Sequence, residues 1–186
     1  MKKLVVLIAL AMGFTAHQAH ADIMIEPYLG YEFGTQEQDQ TTGSSSSEKT
    51  TYTTLGARLG YHSMIGLWVV ADASKSSGKM TSDLYDNNDL DRTSIYGVVG
   101  FNLPILFRVW AGYAISNELK LKDDDVKLAG NGTKFGVGFT GLPFVSINLE
   151  MFKQDWKKAD GDDLSEKYDK FDDTSYLLSV SLPLDF

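Results

Sequence analysis

Large apolar residues recur at every second position through much of the chain beyond residue 22. The clearest stretch is the last, Thr174 to Phe186. Tyr176, Leu178, Val180, Leu182, Leu184 and Phe186 form one set, and Ser175, Leu177, Ser179, Ser181, Pro183 and Asp185 the other. A period of two predicts a strand, and two unlike sets of side chains predict unlike surroundings on its two faces. Its length suits the ~9–11 tilted residues with which a strand crosses a bilayer.

Seven more segments carry the same pattern, at about Ile23–Gly34, Thr51–Tyr61, Ile65–Ser74, Arg92–Asn102, Leu106–Ser116, Thr133–Thr140 and Phe144–Phe152. The connections between them are of two kinds. Three are tight: His62-Ser63-Met64, Leu103-Pro104-Ile105 and Gly141-Leu142-Pro143. Four are long and polar, Thr35–Thr50, Lys75–Asp91, Asn117–Gly132 and Lys153–Asp173. Strict alternation of short and long predicts an all-β fold: an eight-stranded antiparallel transmembrane barrel with short periplasmic turns, four long extracellular loops and both termini periplasmic.

A soluble lipid-binding barrel alternates faces too, but its apolar face points inward. Here aromatics on the apolar face cluster near strand ends. Tyr61, Phe101, Phe107, Phe139 and Phe186 gather toward the short turns, and Tyr31, Phe33, Tyr113, Phe135 and Tyr176 toward the long loops. Two girdles with aliphatic residues between them predict an outward, lipid-facing apolar band. No run of about 18 apolar residues exists for a membrane helix, so strands must do the crossing.

The N-terminus stands apart. Lys2 and Lys3 precede the apolar run Leu4–Phe14, and Ala19-His20-Ala21 has the small-x-small form of a cleavage site. Residues 1–21 are expected to be a cleaved secretory signal peptide and 22–186 the barrel domain. Cleavage leaves 15 basic against 25 acidic residues, more acidic than the −8 of the whole chain. The absence of cysteine excludes disulfides and thiol chemistry. The acidic balance and the lack of a basic stripe argue against nucleic acid as a partner.

The signal segment, the eight alternating segments, the loop asymmetry and the terminal Phe186 together resemble the small eight-stranded outer-membrane barrels, such as the OmpA-like transmembrane domain and OmpW-like proteins. Glu26–Gly34 (EPYLGYEFG) and Asn102–Tyr113 (NLPILFRVWAGY) read like such barrels. The resemblance implies a cell outer-membrane address, with lipid and lipopolysaccharide around the barrel. It also implies a role for Phe186 as the signal read by the barrel-assembly machinery.

The inward face carries Glu26, Glu32, Asp72 and Glu150 against Arg58, Arg108 and Lys134. An eight-stranded interior is just wide enough for side chains to fill. Unpaired buried charge is costly, so these residues are expected to form one ion-paired network, with Lys134 directly opposite Glu150. Ser-His or His-Asp catalysis lacks its base at the outer rim, and the acids of the long loops read more simply as solvated charge than as paired catalytic carboxylates. His17 and His20 fall in the signal segment, and His62 lies in a predicted periplasmic turn. No catalytic residue and no cofactor is predicted. The last loop mixes eight acids with five lysines, and its Asp160, Asp162, Asp163 and Glu166 are a weak calcium candidate without the EF-hand ligand order. A solvated face explains them more simply. The expected function is a non-enzymatic barrel with a largely plugged interior, serving envelope integrity or the binding of a surface ligand through its loops. The alternative is a narrow channel for small or apolar solutes.

Overall fold

The computed structural model describes residues 21–41, 45–81, 88–122, 126–164 and 168–186. The expected signal segment and Glu166 lie outside them, apart from Ala21. Eight long strands follow one another: β1 Ala21–Gln40, β2 Ser45–Ser63, β3 Leu67–Thr81, β4 Asn88–Asn102, β5 Phe107–Leu121, β6 Val126–Phe139, β7 Ser146–Ala159 and β8 Tyr168–Ser181. Each pairs antiparallel with the next, and β8 pairs with both β7 and β1. The barrel is therefore closed and leaves no long edge.

After Pro183 the chain returns to β1 as the two-residue piece Leu184–Asp185, opposite Ile25 and Met24. Ile23 and Phe186 exchange backbone hydrogen bonds of 2.9 and 3.0 Å, which seals the short-turn end.

The apolar face points outward. Leu29, Leu55, Leu59, Val99, Leu178 and Val180 are each more than half exposed. Aromatics border this band in cross-strand pairs: Phe33 stacks on Tyr176 at one end, and Phe107 meets Phe139 at the other. The inner face is polar and filled. A soluble barrel would reverse that arrangement, so the direction of the apolar face decides between them.

The four long connections differ from expectation. They are mostly strand: β1 and β2 stay paired as far as Asp39 and Ser45, and β3 and β4 as far as Met80 and Asn88. Beyond the upper girdle the inner faces of these extensions become apolar. Tyr52, Met80, Leu90, Leu119, Leu128, Trp156, Leu164 and Phe171 form a second core, distinct from the lower one around Tyr28, Trp68, Tyr96 and Trp110. Burying these side chains against each other gives the extensions a reason to remain sheet rather than loop. On their outer face the residues are polar. Asp91 accepts a hydrogen bond of 2.8 Å from Ser77 and lies 3.2 Å from the Lys122 ammonium, and both hold its carboxyl below the usual range.

Gly130-Asn131-Gly132, at the end of the long connection expected over Asn117–Gly132, is also strand, in β6, where the register with β7 shifts between Ala129 and Gly130. A Cβ at Gly130 would run into the backbone of Asp155, so glycine permits the close approach there.

Candidate functional site

The charged interior divides into two layers. In the lower one, Glu26 on β1, Arg58 on β2 and Asp72 on β3 are direct cross-strand neighbours. The Arg58 guanidinium donates to Glu26 at 3.1 Å, to Asp72 at 3.0 Å and to Glu150 on β7. Lys134 on β6 pairs with Asp72 and lies 3.0 Å from Glu150. Arg108 on β5 donates to Glu26 at 2.8 Å and to Asn148 at 2.7 Å. Three acids meet three bases, none more than 3% exposed.

Neutral groups complete the layer. Tyr28 donates to Asp72 at 2.8 Å and Trp110 to Glu150 at 3.2 Å. The Arg58 guanidinium also lies 4.8 Å from the ring centres of both Tyr28 and Trp110. Hydrogen bonds to the charged groups are what allow such a network to tolerate loss of water. Gly136 is the register partner of both Trp110 and Glu150, and any side chain there would overlap the indole that crosses it.

The expectation that Lys134 lies directly opposite Glu150, which requires a hairpin centred on Leu142, does not hold. Phe139 pairs with Ile147, so the β6–β7 hairpin centres on residue 143 rather than 142. Lys134 then faces Phe152, and its flexible stem reaches Glu150 diagonally.

Glu32 does not join this layer. It belongs to an upper one, where it pairs with Arg92 on β4 and accepts from Ser175 and Thr54. Arg92 Nη1 is 3.8 Å from Asp173, and its guanidinium lies 4.8 Å from the centre of the Tyr52 ring. Arg92 and Asp173, 2% and 1% exposed, are interior charges at the boundaries of the expected loops and not among the expected interior set. Parity was the available signal: Arg92 shares the phase of Ser94 and Tyr96, and Asp173 that of Ser175 and Leu177.

The remaining candidates are scattered. Phe186 is exposed at the short-turn end. Asp160, at a turn with φ of 50°, accepts the Lys127 backbone N–H at 2.9 Å, and Asp162–Asp163 folds back against Ala159 and Lys158. Among the described residues no three His, Cys, Asp or Glu are grouped to hold a metal ion. The His62 ring is 3.0 Å from the Asn102 amide at the short-turn end. On the opposite half, β5–β6 pairing is interrupted between Tyr113 and Glu118, beside a recess of about 330 Å³ bordered by Tyr113, Asn131, Lys153 and the buried Gln154.

No protein-family model matches the chain, and no curated protein does. Solved structures do. Neisserial surface protein A is 15% identical over 84% of this chain and 96% of its own, with a TM-score of 0.53. Ail, the attachment invasion locus protein of Yersinia pestis, is 11% identical over 88% of this chain and 99% of its own, with a TM-score of 0.55. These likenesses, with the closed sheet, show the fold of the small eight-stranded outer-membrane barrels.

Proposed function

We propose that this chain is a non-enzymatic outer-membrane barrel, closed to solutes by its lower charge layer, that serves envelope integrity or surface interaction through its outer end. The observation that carries this reading is the lower layer itself. Six buried charges from β1, β2, β3, β5, β6 and β7 meet within hydrogen-bonding distance. The interior that a pore would need for water is occupied by paired side chains. A histidine-dependent enzymatic role would need that residue near the outer rim, and His62 lies at the other end. In this reading the short-turn end is periplasmic, lipopolysaccharide surrounds the outer half of the barrel, and a surface ligand meets its rim.

Planar-bilayer recording tests the closure. The reconstituted chain is expected to give no steady conductance. Steady openings that change in Lys134→Gln would instead support the second reading, a narrow channel for small or apolar solutes. That reading draws on the break in β5–β6 pairing and its recess beside Gln154.

The proposed role of Phe186 as an assembly signal has a separate test. Phe186→Ser is expected to lower insertion in cells several-fold while refolding into detergent changes little, because the side chain is exposed and its backbone bonds to Ile23 persist. Equal losses in both would leave Phe186 as a girdle residue alone.

A further inference from the structure

Asp173 stands on β8 three residues beyond Tyr176 of the upper girdle, outside the lipid-facing band. It is buried, and neither of its oxygens accepts a hydrogen bond. Its register partners are two buried amides, Gln36 on β1 and Gln154 on β7. The row Gln36, Asp173, Gln154 thus crosses three adjacent strands at the seam where the barrel closes. The two amides offer opposite groups. Gln154 Oε1 accepts from Asn117 at 3.0 Å, and Asn117 accepts from Ser94 at 2.7 Å, which leaves Gln154 Nε2 as a donor without a partner. Gln36 is the reverse: its Oε1 is an acceptor without a donor. Gln36 also borders a cavity of about 210 Å³, which gives its amide room to turn.

Two buried acids share one cation in this layer. Glu32 on β1 accepts from Arg92, Ser175 and Thr54, whereas Asp173 has Arg92 Nη1 at 3.8 Å. Lys134, in the layer below, is taken by Asp72 and Glu150. Tyr52 on β2 and Tyr96 on β4 also face Asp173. Half-buried Glu48 on β2, the other register partner of Gln36, adds negative charge. Donors are not scarce here, since both tyrosine hydroxyls and Arg92 Nε are without partners as well. What the layer lacks is a second cation. A buried carboxylate without its own counter-ion is costly, and a bound proton removes that cost. Glu32 has its donors, so the proton belongs on Asp173.

We propose that Asp173 is a proton-binding site that ties the outer half of the closing seam. As the neutral acid it donates to Gln36 Oε1 and accepts from Gln154 Nε2, joining β1, β8 and β7 above the girdle. Ionised, it has no proton to give: it turns to Arg92 Nη1, and Gln36 loses its donor. Burial pushes the carboxyl up to about 7, with Arg92 opposing the rise and Glu32 adding to it. The fold therefore favours the neutral acid. That contribution is complete below the ordinary value of 3.8 and is lost as the pH rises through about 7.

The test uses the full barrel in lipid nanodiscs, with aspartate labelled at its side-chain carboxyl carbon for NMR. The signal missing from Asp173→Asn identifies the group, and its shift is followed from about pH 4 to 9. A midpoint near neutrality is expected. Gln36→Met removes the acceptor at similar volume and should lower that midpoint by about half a unit or more. Backbone hydrogen exchange over Gln36–Gln38, corrected for its intrinsic pH dependence, should quicken several-fold above the midpoint. Asp173→Asn should show no such step, because its amide donates to Gln36 and accepts from Gln154 at any pH. A midpoint in the ordinary aspartate range, a midpoint unmoved in Gln36→Met, or an exchange step that persists in Asp173→Asn would each overturn the proposal.

Discussion

Arg58→Met is expected to lower the free energy of unfolding by about 3–5 kcal/mol, the range for breaking a buried ion pair by removing one partner. Arg58 is the hub of the lower layer, bonded to carboxylates on three different strands. Without it Glu26, Asp72 and Glu150 retain only Arg108 and Lys134, and one carboxylate is left uncompensated at essentially zero exposure. Methionine fills similar space, so the loss is electrostatic rather than a cavity. Denaturant-induced unfolding from lipid vesicles measures it. Adding Glu150→Gln removes one acid and should recover part of the loss, since the amide oxygen can still accept from Trp110. A single variant within about 1 kcal/mol of the parent would mean that solvent or rearrangement replaces the guanidinium, contrary to the burial seen here.

Leu29→Arg is expected to cost about 2–4 kcal/mol in a bilayer, the range for Arg or Lys at the midplane of a barrel's lipid face. Leu29 lies between Leu55 and Val180 in the middle of the outward band and is 57% exposed. The same change at Thr35, two residues past Phe33 on the same face, should cost about 0–1 kcal/mol, as near the interface. Unfolding from vesicles of matched thickness compares the two. A surface exposed to water would tolerate arginine at both positions, so equal small losses would contradict the membrane reading.

Much of the barrel was legible because lipid outside and side chains inside impose opposite demands on alternate residues. Ile25, Pro27, Leu29 and Tyr31 could only be outward if Glu26, Tyr28 and Glu32 were inward. The six residues of the lower layer follow from that one parity. What escaped was the continuation of the sheet. Above the girdle the phase reverses: Leu90, Leu119 and Leu128 point inward, while Asp91 and Lys127 lie on the outer side. A reading tuned to outward apolar residues meets polar ones at each expected position and reads loop. Arg92 and Asp173 sit at that reversal, which is why both went unassigned. The diagonal reach of Lys134 escaped for another reason. Turn geometry, not strand composition, sets a hairpin's register, and a centre moved by one residue moves every opposite pair by two.

The extension of the sheet also fixes a height. At ~3.3 Å per residue and a tilt of ~40°, the 20 residues of β1 rise about 50 Å along the barrel axis. The hydrocarbon band takes about 25 Å of this. The outer rim therefore stands roughly 20 Å clear of the lipid chains, carried by paired strands packed on the second core. Below the strand tips the described outer end is paired sheet rather than loop. For the surface role proposed above, that part of the wall has little chain entropy left to lose on contact.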